Sequence, residues 1–163
     1  MRGLALFVAG LLVGGIAVHT ALAQSSLSPN KGVVMVNHVG INVPDIDKAV
    51  AYYTKTLGFP EAFRSKNDKG EVQLVYVQVS QNTFVELQPA RGRPLGISHF
   101  GIVVDSTKDA VAMFKARGAN VAEVNVSPTK AILSNVTDPF GNRMELAELP
   151  PESLHSQAMK RWK

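Results

Sequence analysis

Cysteine is absent from all 163 residues, which excludes disulfide staples, thiol nucleophiles and thiolate metal ligands. Charge is sparse as well: 18% of residues carry one, and the net balance is only +4. The basic residues are scattered, apart from Arg91 and Arg93 and the terminal Lys160, Arg161 and Lys163. Nucleic-acid binding needs a basic stripe interleaved with stacking aromatics. Neither is present, so no nucleic-acid partner is expected. A disordered composition is missing too, since 45% of the residues are hydrophobic. The length suits one well-buried domain and is too short for two ordinary ones.

The one long apolar run follows Arg2: "LALFVAGLLVGGIAVHTALA", then polar "QSSLSPNKG". A positive start, an apolar middle and the small-residue end Ala21-Leu22-Ala23 describe a secretory signal cleaved after Ala23. The protein is therefore expected to be exported, periplasmic or secreted, with membrane association only where the segment is retained. The expected organisation is a signal at 1–23, a linker at 24–32, a domain at 33–149 and a tail at 150–163.

Within the domain the chain repeats itself. "HVGINVPDIDKAVA" from His38 and "HFGIVVDSTKDAVA" from His99 agree at seven of fourteen positions, at an offset of 61 residues. Each copy opens a similar order of elements. "VVMVNHVGINV" has the β-branched content of a strand, Pro44 ends it and Asp45 can cap a helix. Ile46, Ala49, Val50, Tyr53 and Leu57 recur at helical spacing, and Gly58 stops the helix. "EAFRSK", "EVQLVYVQV" and "TFVELQ" then read as three strands. The second copy runs "ISHFGIVV", a helix capped by Ser106 or Thr107 with Ala110, Val111 and Phe114 inward, then "VAEVNV", "KAILSNV" and "NRMELAEL". The expected fold class is α+β: two tandem βαβββ modules, about 33–90 and 97–149, forming a curved mixed sheet around a central cleft. The tail is polar and basic, a short helix or no element at all, and its His155 carries no expected role.

Four residues occupy matching places in the repeat. His38 and His99 lie on the first strand of each module, and Glu86 and Glu145 on the last, 48 and 46 residues further on. Strand alternation sends the apolar neighbours Val85 and Leu87, or Met144 and Leu146, to the helix-covered face. Both glutamates then point into the cleft. Two carboxylates and two imidazoles in one cleft are costly without a countercharge. A single divalent cation (Ni, Co, Zn, Fe or Mn) held by His38, Glu86, His99 and Glu145 removes that cost. The alternative is a degenerate site in a binding module.

The stretches "HVGINVPDIDKAVAYYTKTLGF", "FVELQPA", "HFGIVV" and "DPFGNRMEL" together resemble the vicinal oxygen chelate superfamily, which includes glyoxalase I, methylmalonyl-CoA epimerase, extradiol dioxygenases and bleomycin-resistance proteins. The resemblance spans roughly residues 33 to 149. It implies a glyoxalase I-like ligand set at His38, Glu86, His99 and Glu145. It also implies a lyase or isomerase acting on a small substrate with vicinal oxygens, through a metal-stabilised enediolate with Glu145 or Glu86 as base. A secreted small-molecule-binding protein and a metal-dependent ring-cleaving dioxygenase are the alternatives, the last needing a spare central histidine that the sequence does not offer. Export sits awkwardly with substrates built on glutathione or coenzyme A. Arg64, Arg91 and Arg93 are the candidate anion contacts, and Phe63, Tyr76, Phe84 and Phe140 the candidate pocket aromatics. A homodimer is possible in such a fold, with the modules pairing within one chain or across two.

Overall fold

In the computed structural model residues 30–163 are described; the expected signal segment lies outside them. β1 (Val33–Val43) is followed by α1 (Ile46–Ala51), a π-helical turn (Tyr52–Thr56), β2 (Glu61–Lys66), β3 (Val72–Ser80) and β4 (Thr83–Pro89). The second module holds β5 (Gly96–Val104), α2 (Thr107–Ala116), β6 (Asn120–Val121), β7 (Asn125–Val126), β8 (Ile132–Thr137) and β9 (Arg143–Glu148). A last helix, α3, spans Leu154–Arg161.

All strands belong to one mixed sheet in the order β2-β3-β4-β1-β5-β9-β8-β6, with β7 also on β8. In each module the first strand runs parallel to the last, β1 to β4 and β5 to β9. The modules join where β1 and β5 pair antiparallel, within a single chain. The fold is thus the expected α+β class: a large curved, unclosed mixed sheet.

Both module helices start as their sequences dictate. Asp45 accepts the amide of Lys48 at 3.0 Å, and Ser106 accepts that of Asp109 at 3.2 Å. Each helix buries its apolar stripe on one face of the sheet. Ile46, Ala49, Val50 and Tyr53 pack on Val43, Val77 and Leu87, while Ala110, Val111 and Phe114 pack with Ile102, Val104 and Leu146. Alternation does the rest: Val85 and Leu87, like Met144 and Leu146, join these clusters.

Two local readings need correction, and of the two left open for the tail the short helix holds. Leu57 does not join the first stripe and is exposed. The i→i+5 bond from its amide to the Tyr52 carbonyl (3.1 Å) widens and underwinds the turn, and Phe59 takes the packing position. "VAEVNV" is not one strand: β6 and β7 pair β8 separately, with the amide of Ala122 still reaching the Asn135 carbonyl. The tail is ordered into α3, capped by Ser153, and covers the face of the first module that α1 leaves bare. There Ala158 and Met159 pack on Phe63, Tyr76 and Phe84.

Candidate metal centre

Strand register brings the four repeat residues together. One row across the sheet runs Glu86, Gly40, His99; the next runs His38, Gly101, Glu145. Each row reads glutamate, glycine, histidine, in opposite directions, because β1 and β5 are antiparallel. The glycines explain why the rings can turn inward. A methyl group on Gly40 would collide with Cε1, Nδ1 and Nε2 of His99, and one on Gly101 with the same atoms of His38. The glycine of each "H-x-G" is thus the floor under the other module's imidazole.

The donor atoms converge. His38 Nε2 lies 3.2 Å from His99 Nε2, 3.5 Å from Glu145 Oε1 and 3.7 Å from Glu86 Oε2. His99 Nε2 is 3.1 Å from Glu86 Oε2. Donors bound to a cation at about 2.0–2.1 Å sit about 2.9–3.4 Å apart at tetrahedral or octahedral angles. The separations of 3.1 and 3.2 Å match such edges, those of 3.5 and 3.7 Å lie just beyond them, and ligand atoms of His38, His99 and Glu145 all fall within 4.8 Å of one another. The donor set, neutral imidazole with carboxylate, suits a divalent first-row metal.

The two glutamates are not equivalent. Glu86 is sealed, accepting Tyr76 Oη–H at 3.0 Å on Oε2 and the Gln88 amide on Oε1. Burial opposes its charge, but the hydrogen bond from His99, the neighbouring His38 and the Gln88 amide outweigh it and hold its carboxyl below the usual range. Glu145 has only His38 within ion-pair reach among the described residues, and its side chain keeps 13% of its surface exposed. Burial, with Glu86 adding, pushes it up to about 8. His38 moves the other way, to about 4, chiefly because burial disfavours its charged form.

The imidazoles are held from behind. His38 Nδ1 faces Asn37 Oδ1 at 3.3 Å, and the Asn37 amide donates to the Asn82 carbonyl at 2.7 Å. That donor arrangement leaves Nε2 of His38 free as an electron-pair donor. His99 Nδ1 lies 2.9 Å from Ser98 Oγ, which reaches the Gly40 carbonyl at 3.1 Å. Arg143 Nη2 also donates to His99 Nδ1, at 2.7 Å.

Two residues at this centre escaped the sequence reading. Arg143 stands two positions before Glu145 on the same strand face, a spacing that could have revealed it. His155, dismissed as part of the tail, is buried at 3% exposure. Its ring packs edge-on to Tyr76 and Phe63 at centroid distances of 4.5 and 4.7 Å, and lies 6.3 Å from His38. Neither of its ring nitrogens has a hydrogen-bond partner among the described residues. The centre therefore does have a third histidine beside it. Phe63, Tyr76 and Phe84 line its surroundings, whereas Phe140 is 89% exposed and does not. The proposed anion contacts are engaged elsewhere: Arg64 with Glu61, Arg91 with Gln73 and the Val72 carbonyl, Arg93 with Gln88 and the Pro89 and Ala90 carbonyls.

Duplicated βαβββ modules, joined through their first strands and carrying four convergent donor groups at the seam, define a paired-module sheet protein. The chain belongs to the Glyoxalase/Bleomycin resistance protein/Dioxygenase superfamily, whose sequence model matches residues 35–146. It is 30% identical over 125 residues to a probable chloroplastic lactoylglutathione lyase of Arabidopsis thaliana, covering 70% of this chain and 35% of that protein. The chain thus spans about a third of that relative's length. It is 28% identical over 122 residues to lactoylglutathione lyase of Escherichia coli O157:H7, covering 68% of this chain and 90% of that one. Among solved structures, methylmalonyl-CoA epimerase from Mycobacterium tuberculosis superposes with a TM-score of 0.65 at 19% identity, over 73% of this chain and 90% of the other. A Streptomyces coelicolor methylmalonyl-CoA epimerase variant in complex with 2-nitronate-propionyl-CoA gives 0.61 at 17%, over 71% and 94%. At those identities the likeness is one of fold. These sequence relatives are lyases, and these fold neighbours are epimerases.

Proposed function

We propose that the protein is a metal-dependent lyase or isomerase of the glyoxalase type, which moves a proton at a carbon beside two adjacent oxygens. The observation that carries this reading is the convergence of donors on His38: its Nε2 lies 3.2, 3.5 and 3.7 Å from atoms of His99, Glu145 and Glu86, and His99 Nε2 lies 3.1 Å from Glu86. Bound by these four residues, a divalent cation supplies positive charge against the negative charge that develops on neighbouring substrate oxygens.

The chain's own residues divide the remaining work. Glu86, fixed by Tyr76 and Gln88, is an anchoring ligand. Glu145 is the base: it is more exposed than the other three, lacks a hydrogen-bond clamp, and can swing to take a proton from carbon. Asn37 and Ser98 orient the two imidazoles. Export through cleavage after Ala23 belongs to the same proposal and rests on the sequence alone; the N-terminal mass of the secreted form checks it.

The test is metal content followed by exchange of carbon-bound hydrogen for deuterium in small vicinal-oxygen compounds, read by NMR. Glu145→Gln should slow exchange by about 10²–10⁴-fold while metal uptake persists. Glu86→Gln should weaken metal uptake itself. A wild-type protein without stoichiometric metal, or a Glu145→Gln variant that exchanges at the wild-type rate, overturns the proposal.

A further inference from the structure

We infer that Arg143 is the substrate-anchoring residue of this centre and that it selects a small monoanion, a 2-oxo or 2-hydroxy monocarboxylate. The inference rests on the proposed function and names its substrate class.

Three observations converge. Arg143 projects from the same face of β9 as Glu145, is half-buried, and has no carboxylate within ion-pair distance among the described residues. Its one side-chain partner there is His99 Nδ1, on the opposite edge of the ring from the Nε2 that faces Glu86 and His38. A half-buried guanidinium without an anion is an open demand for one, and its planar fork matches a carboxylate in two parallel bonds.

The contact with His99 is one that a bound cation removes. When Nδ1 accepts a hydrogen bond from Arg143, the ring's own proton sits on Nε2. An Nε2 that gives its electron pair to a metal requires the proton on Nδ1, which then points to Ser98 Oγ and the Gly40 carbonyl beyond it. Arg143 is then released beside the metal and turned to whatever binds there. Charge fixes the sign. A dication with two glutamates is neutral, and Arg143 leaves the centre at +1. A monoanion completes it.

Access and size agree. The first module's share of the site face is closed by α3, whose His155 and Ala158 pack on Phe63, Tyr76 and Phe84. The side chains of His38, His99 and Glu86 keep 4% or less of their surface, against 13% for Glu145. Substrate therefore arrives on the β9 side, where Arg143 stands, and finds the opposite half filled. A bulky thiol-cofactor arm has no room on that half.

The experiment uses nickel-loaded protein, with nickel content measured first for wild type, R143A and R143K. Pyruvate and lactate are the anionic probes in calorimetric titration, and butane-2,3-dione is the neutral control. R143A should bind nickel at least as tightly as wild type and lose about tenfold or more in pyruvate affinity. R143K should lose less, and dione affinity should stay within about twofold. If R143A retains both nickel and wild-type pyruvate affinity, the inference is wrong while the proposed function stands. If the wild type takes up neither nickel nor cobalt, zinc, iron or manganese, the function itself fails and takes the inference with it.

Discussion

Removing the cation should make the protein's stability fall between pH 6.5 and 8, and restoring it should abolish that fall. The sign follows from the displaced groups. Glu145 is raised from 4.5 to about 8, so the folded chain keeps a proton that the unfolded chain loses above pH 4.5. Its contribution therefore declines as pH rises from 4.5 to 8. His38 and His155 are depressed from 6.5 to about 4 and about 3, both mainly by burial, and the unfolded chain binds protons there that the folded one refuses. Their contribution grows up to pH 6.5 and then stops. Below 6.5 the two histidines outweigh Glu145, and above it Glu145 acts alone, so the metal-free protein is most stable near pH 6.5. From there to pH 8 the loss is about 2 kcal/mol, at about 1.4 kcal/mol per pH unit. That is several degrees in Tm for a domain of this size. Chelated and nickel-loaded protein would be unfolded in urea at half-unit steps from pH 5.5 to 8.5. A loaded protein holds Glu145 ionised against the cation and should show a flat profile above 6.5. Glu145→Gln should flatten the metal-free profile in the same range. Equal stability of the chelated wild type at pH 6.5 and 8, or a decline that survives Glu145→Gln, would refute the reasoning.

Two further outcomes follow from the packing. Gly40→Ala and Gly101→Ala each place a methyl group inside the opposite imidazole, which must leave its position. Each should cost about 1–3 kcal/mol and lower metal affinity at least about tenfold, measured by competition against a chromophoric chelator, with circular dichroism confirming the fold; unchanged affinity in either variant counts against the floor role. His155→Phe removes an imidazole with no hydrogen-bond partner and keeps most of its volume. It should raise urea stability by about 1–3 kcal/mol, and a loss instead would mean that the ring makes bonds of its own.

The meeting of these four side chains was legible in the sequence because repetition and alternation are both sequence properties. The 61-residue offset equates His38 with His99, and apolar neighbours orient Glu86 and Glu145. What the repeat left open is how the modules meet, since pairing of β1 with β5 is an edge-to-edge choice that no single residue declares. Arg143 directly follows the turn within "DPFGNRMEL", and only its two-residue step to Glu145 marks it as sharing that face. His155 was hidden by polarity: α3 offers the sheet only a narrow stripe around Ala158 and Met159, too thin for periodicity to mark as buried. Leu57 was misplaced because a π-helical turn breaks the 3.6-residue period on which the reading relied.

The exchanged floors at Gly40 and Gly101 tie the halves of the molecule together in a way that ordinary strand pairing does not. A module cut loose would retain an imidazole with nothing beneath it and a hollow with nothing above it. Drift in either half is consequently felt in the other, because enlarging one glycine dislodges a side chain encoded some 60 residues away. Two copies locked in this manner are held to each other at the spot where each completes its twin.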